Sequence, residues 1–73
     1  MEKKISIKTS GSSYWNTYRI WESSGKFICE EYEDGFFGGR YNKIGETRSF
    51  EDAITYCRAY ASKYGAIQKV EFR

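Results

Sequence analysis

The apolar positions of this chain change rhythm once. From Lys3 to Ile44 they fall in short alternating runs; from Phe50 to Tyr64 they recur every three or four residues. "KKISIK" sets Ile5 and Ile7 on one side and Lys4, Ser6 and Lys8 on the other, which predicts a first strand. "TSGSS" has turn composition, and "YWNTYRIW" is dense in β-forming residues, so a second strand is expected over Tyr14–Glu22. "SSGK" supplies a short hairpin connection to a third strand over Lys26–Glu33. Asp34-Gly35 is a dipeptide favoured in two-residue turns, because glycine accepts positive φ. "FFGGRYNKI" then returns as a fourth, irregular strand, with Gly38 and Gly39 marking a bulge or bend.

The helical stretch carries its own boundary signals. Ser49 precedes "FEDAITYCRAYASKY", and Ser49 with Asp52 forms a start resembling a capping box. Glu51 and Asp52 suit the positive end of the helix dipole, Lys63 suits the negative end, and Gly65 terminates. Phe50, Ala53, Ile54, Cys57, Tyr60, Ala61 and Tyr64 share one stripe. "AIQKVEF" closes the chain as a strand with Val70 and Phe72 toward the helix. The order β-β-β-(β)-α-β predicts an α+β fold: a mainly antiparallel sheet of three to five strands packed on one helix. Residues 1–73 form a single compact domain on this reading, with the last strand pairing alongside the first.

Composition alters this picture at the aromatics. Seven Tyr, five Phe and two Trp are more rings than so small an interior holds, so some face solvent. One helix covers one sheet face. Tyr18 and Ile20 are the natural core contribution of the second strand, which leaves Trp15, Thr17, Arg19 and Trp21 on the other face. A register one residue off reverses that assignment, sending Tyr14, Tyr18 and Ile20 outward; a strongly curled sheet would instead bury the tryptophans at its edges. On the third strand, Phe27 and Cys29 are expected inward with Glu31 at the sheet margin; the alternative face is Ile28, Glu30 and Tyr32.

Candidate chemistry is sparse. The chain has no histidine, and so lacks the commonest general base and the usual partner of a Ser or Cys nucleophile. Cys29 and Cys57 are too few and too far apart for a metal knuckle and read as small buried hydrophobes. "CEEYED" lacks the ligand order of a calcium loop. The glycines at 35, 38, 39 and 45 lack the Gly-Lys-Ser/Thr and following helix of a phosphate loop. No catalytic residue, metal or cofactor is therefore expected.

A binding module is the expectation that remains. The sites expected to meet a protein partner are Trp15, Arg19 and Trp21 on the sheet, with Phe36, Phe37, Arg40 and Tyr41 rimming the surface. Phe36 and Phe37, as neighbours on a strand, are expected to point to opposite sides, one into the core. The alternative is a nucleic-acid-binding domain. There Trp15, Arg19 and Trp21 form a platform ringed by Lys3, Lys4, Lys8, Arg40 and Lys43. Against it stand a net charge of only +2 and the acids of the third strand. An exposed sheet edge or the tryptophan face also offers a symmetric homodimer. "MEKKISIK" is too polar for a signal peptide, and no apolar run reaches the roughly 18 residues of a membrane span, so a cytoplasmic protein is expected.

Overall fold

A computed structural model describes residues 2–73. Five strands, β1 (Glu2–Thr9), β2 (Asn16–Ser23), β3 (Lys26–Gly35), β4 (Gly38–Thr47) and β5 (Ile67–Phe72), form one antiparallel sheet in the order β4-β3-β2-β1-β5. One helix, α1 (Phe50–Ala61), packs on one face and continues into a 3₁₀ turn over Ser62–Tyr64. The α+β architecture is the one the alternation predicts, and the last strand does lie beside the first.

The register settles which face each strand buries. Ile5 pairs with Tyr18, Tyr18 with Glu31, and Ile20 with Cys29, so these residues share the helix side. Ile5, Ile7, Tyr18, Ile20, Cys29, Ala53, Cys57 and Ala61 form the fully buried core. Phe27, Ile44, Phe50, Ile54, Tyr60, Ile67 and Val70 pack around it. Trp15 lies one residue ahead of β2, and Thr17, Arg19 and Trp21 occupy the opposite, open face. The Cys29 thiol lies 3.9 Å from the Ala53 carbonyl. Its hydrogen bond with Cys29, together with burial, pushes the Cys57 thiol well up, which keeps it protonated.

The helix starts as its sequence directs. The Ser49 side chain accepts the Asp52 backbone N–H at 3.1 Å. The chain leaves the following 3₁₀ turn through Gly65 at φ 121°. The β2–β3 connection is a tight hairpin whose central residues, Ser24 and Gly25, both have positive φ, as a type I′ turn requires.

Two local expectations are corrected. The β3–β4 turn is Phe36-Phe37, flanked by the pair Gly35–Gly38, and Asp34-Gly35 belongs to β3. A turn at Asp34-Gly35 would have paired Glu33 with Phe36 and, four steps on, set buried Cys29 opposite Arg40. The observed register sets it opposite Gly45. Core burial therefore outweighs the local turn preference. The bulge of β4 falls at Ile44, between the pairs Glu30–Lys43 and Cys29–Gly45, and not at Gly38-Gly39, which pair regularly. The extra residue lets Ile44 pack against the core.

Candidate functional site

The distal half of the β3–β4 hairpin reaches past the helix. Every residue from Tyr32 to Arg40 is exposed. At its end Phe36 is 95% and Phe37 97% accessible, so the expectation that one would enter the core is overturned. Both sit in the turn itself, where the alternation of a strand no longer applies. Their rings meet edge to face, centroids 4.9 Å apart, and form one apolar knob. Neither phenylalanine has positive φ; Gly38, at φ 128°, takes the conformation that closes the turn.

The same arm is stiffened from the open face. The Tyr32 ring lies over the backbone of Gly39 in the facing strand, in space that any Cβ there would fill. Tyr32 also meets Tyr41 edge to face at 5.3 Å. Arg40 and Glu33 face each other across the arm at 3.8 Å, both largely exposed. An open recess of about 380 Å³ at the hairpin end is lined by Phe36, Phe37, Glu33, Arg40 and the neighbouring glycines.

The open face is more self-satisfied than its composition suggests. Arg19, half-buried at its centre, donates from Nε to Glu30 at 2.7 Å. Its guanidinium lies 4.2 Å from the centroid of Tyr41, and Lys4 Nζ lies 5.9 Å from the same ring. The Glu30 hydrogen bond holds the guanidinium above its ordinary pKa. Trp21 is half-buried with its indole N–H enclosed and unpartnered, whereas Trp15 is 38% exposed. Lys43 is paired to Glu46, and Lys8 donates to the carbonyls of Thr9 and Ser12.

The acids of β3 divide by face. Glu30, on the open face, is bound by Arg19, whereas Glu31 and Glu33 lie on the helix side, where Glu33 faces Arg40. Glu31 accepts from the Tyr18 hydroxyl at 2.9 Å and the Tyr64 hydroxyl at 3.2 Å through one carboxylate oxygen. Burial first, and then the Glu31 bond, raise the Tyr18 phenol far above its usual pKa.

The structure thus separates the expected site residues into two groups. Phe36, Phe37 and Arg40 are together at the hairpin tip; Trp15, Arg19, Trp21 and Tyr41 are on the sheet face, where Arg19 is held between Glu30 and the Tyr41 ring. Sequence reasoning missed Tyr32, whose alternation with Glu30 and Asp34 on the open face was the signal. Among the described residues no cluster of His, Cys, Asp or Glu suited to a metal ion occurs. No described helix is long and apolar enough to cross a membrane. Comparison with protein-family models, with curated proteins and with solved structures returned no match, so the side chains alone carry the functional argument.

Proposed function

We propose that this protein is a small non-enzymatic binding module that recognises a protein partner by seating the Phe36–Phe37 knob in an apolar pocket, in the manner of a regulator or inhibitor. One observation carries the reading: two adjacent phenylalanines, each over nine-tenths exposed, at the end of an arm that contributes nothing to the core. Full burial of a phenylalanine side chain stabilises by about 1.5–3 kcal/mol, so the pair offers about 3–6 kcal/mol to a docking event. The T-shaped contact between the rings limits the ordering that docking requires. Glu33, Asp34 and Arg40 supply a mixed-charge rim, which suits a protein surface better than an anionic membrane. A cytoplasmic setting fits the two free thiols in the core.

A nucleic-acid ligand is disfavoured, because Arg19 and Lys43, the central cations of the sheet face, are already neutralised by Glu30 and Glu46. The test is a photo-crosslinking phenylalanine analogue at position 37, expressed in the native host. The expected result is one discrete protein adduct that disappears when Phe36→Ser is added. Adducts with nucleic acid or lipid, or no adduct at all, would overturn the proposal.

A further inference from the structure

Both edges of the sheet, β4 and β5, present unpaired backbone, yet they differ in how their charges are used. On β4, Arg40 is bridged to Glu33, and Glu46 to Lys26 and Lys43. A bulge interrupts each edge, at Ile44 in β4 and at Gln68 in β5, so it is the charges that distinguish the two. On β5, Lys69, Glu71 and Arg73 take part in no ion pair among the described residues. The fold even opposes like charges here: Lys69 stands directly across from Lys8, and Arg73 exchanges backbone hydrogen bonds with Lys4.

The backbone bonds fix which groups of β5 are free. Arg73 donates to the Lys4 carbonyl at 2.7 Å and accepts from its N–H at 3.4 Å. Alternation along an antiparallel pair then turns the polar groups of residues 69, 71 and 73 toward β1, and those of Val70 and Phe72 outward. We propose that β5 is the seam of a symmetric homodimer, pairing antiparallel with the β5 of a second copy about a two-fold axis at Val70.

Three features meet in that register. Val70 faces its own counterpart and exchanges both backbone hydrogen bonds with it. Lys69 of each copy stands opposite Glu71 of the other, on the open face, so both orphaned charges are matched twice over. On the helix side, Phe72 of one copy stands opposite Gln68 of the other and approaches its Val70 diagonally, covering a phenylalanine that is 51% exposed in the monomer. A lone lysine on an edge strand blocks pairing, but a Lys-Val-Glu run becomes self-complementary when it pairs antiparallel with itself.

Sedimentation equilibrium at low salt, over about 1 µM to 1 mM protein, tests this. The mass should climb from 8.6 kDa toward twice that value. Lys69→Glu and Glu71→Lys should each weaken self-association about ten- to a hundred-fold. A one-to-one mixture of the two single variants should associate again, and Lys69→Glu/Glu71→Lys in one chain should restore the homodimer. Folding is not at risk in Lys69→Glu, since the new carboxylate faces Lys8. A wild-type protein that stays monomeric throughout overturns the proposal, as does a dimer indifferent to both single changes or a mixture that does not re-associate. Phe36 and Phe37 lie on a hairpin whose edge strand is β4, across the sheet from β5. Phe36→Ser/Phe37→Ser therefore leaves this association intact, and the two proposals fail separately.

Discussion

At the scale of single residues, the most consequential polar contact is the one that lets a carboxylate sit on the helix side of the sheet. Glu31 is tolerated beside the core because Tyr18 and Tyr64 both donate to the same oxygen. Tyr18→Phe removes the shorter, more enclosed of these bonds and should cost about 1.5–3 kcal/mol in urea unfolding. Tyr64→Phe should cost less, and the double variant should fall short of the sum because the two hydroxyls share one acceptor. The same contact sets an alkaline limit. Tyr18 has a folded pKa raised above its ordinary value of 10.0, so its contribution is complete below that pH. It is lost as pH rises beyond 10 toward the folded pKa. Stability should accordingly decline above pH 10, and Tyr18→Phe should make that decline shallower. A decline as steep in the variant as in the wild type would remove Tyr18 as its cause.

At the scale of elements, what the sequence made legible followed from burial and capping, and what it hid followed from a conflict between them and turn chemistry. Alternation around Ile5, Ile7, Tyr18 and Ile20 marked the buried face correctly, because a one-residue slip would have exposed all four. Ser49 marked the helix start because an orphan N–H needs an acceptor. The β3–β4 turn went unread because Asp34-Gly35 is locally the better turn, while the bulge that shifts the register lies at Ile44, eight residues past Phe36. The free orientation of both phenylalanines was hidden with it. A protein that places Phe-Phe in a turn where small polar residues would serve carries a local disadvantage, and such conflicts concentrate at functional sites. Phe36→Ser/Phe37→Asp, polar turn residues compatible with the negative φ of both positions, should therefore keep the fold, hold the unfolding midpoint near that of the wild type, and abolish partner binding. A midpoint well below wild type would show that the phenylalanines support the hairpin instead.

At the scale of the whole molecule, a single helix on a single sheet leaves a thin core, and that makes stability and recognition separable by experiment. A chain of 73 residues at typical density is stable by about 4–11 kcal/mol, which a few core side chains dominate. Ile5 is fully buried on a central strand, and Ile5→Ala should cost about 2–5 kcal/mol, a large part of that total. Cys29 and Cys57 report the opening directly, since both free thiols are buried in the same core. When opening is fast relative to labelling, the modification rate follows the open fraction. Ile5→Ala should then accelerate thiol labelling by about 30- to 5,000-fold under native conditions. Phe36→Ser/Phe37→Ser should leave the rate near that of the wild type, because those rings contribute no buried contact to lose. Equal acceleration by both variants would mean that the hairpin tip and the core open as one unit, and that the knob's exposure is not the free surface on which partner recognition depends.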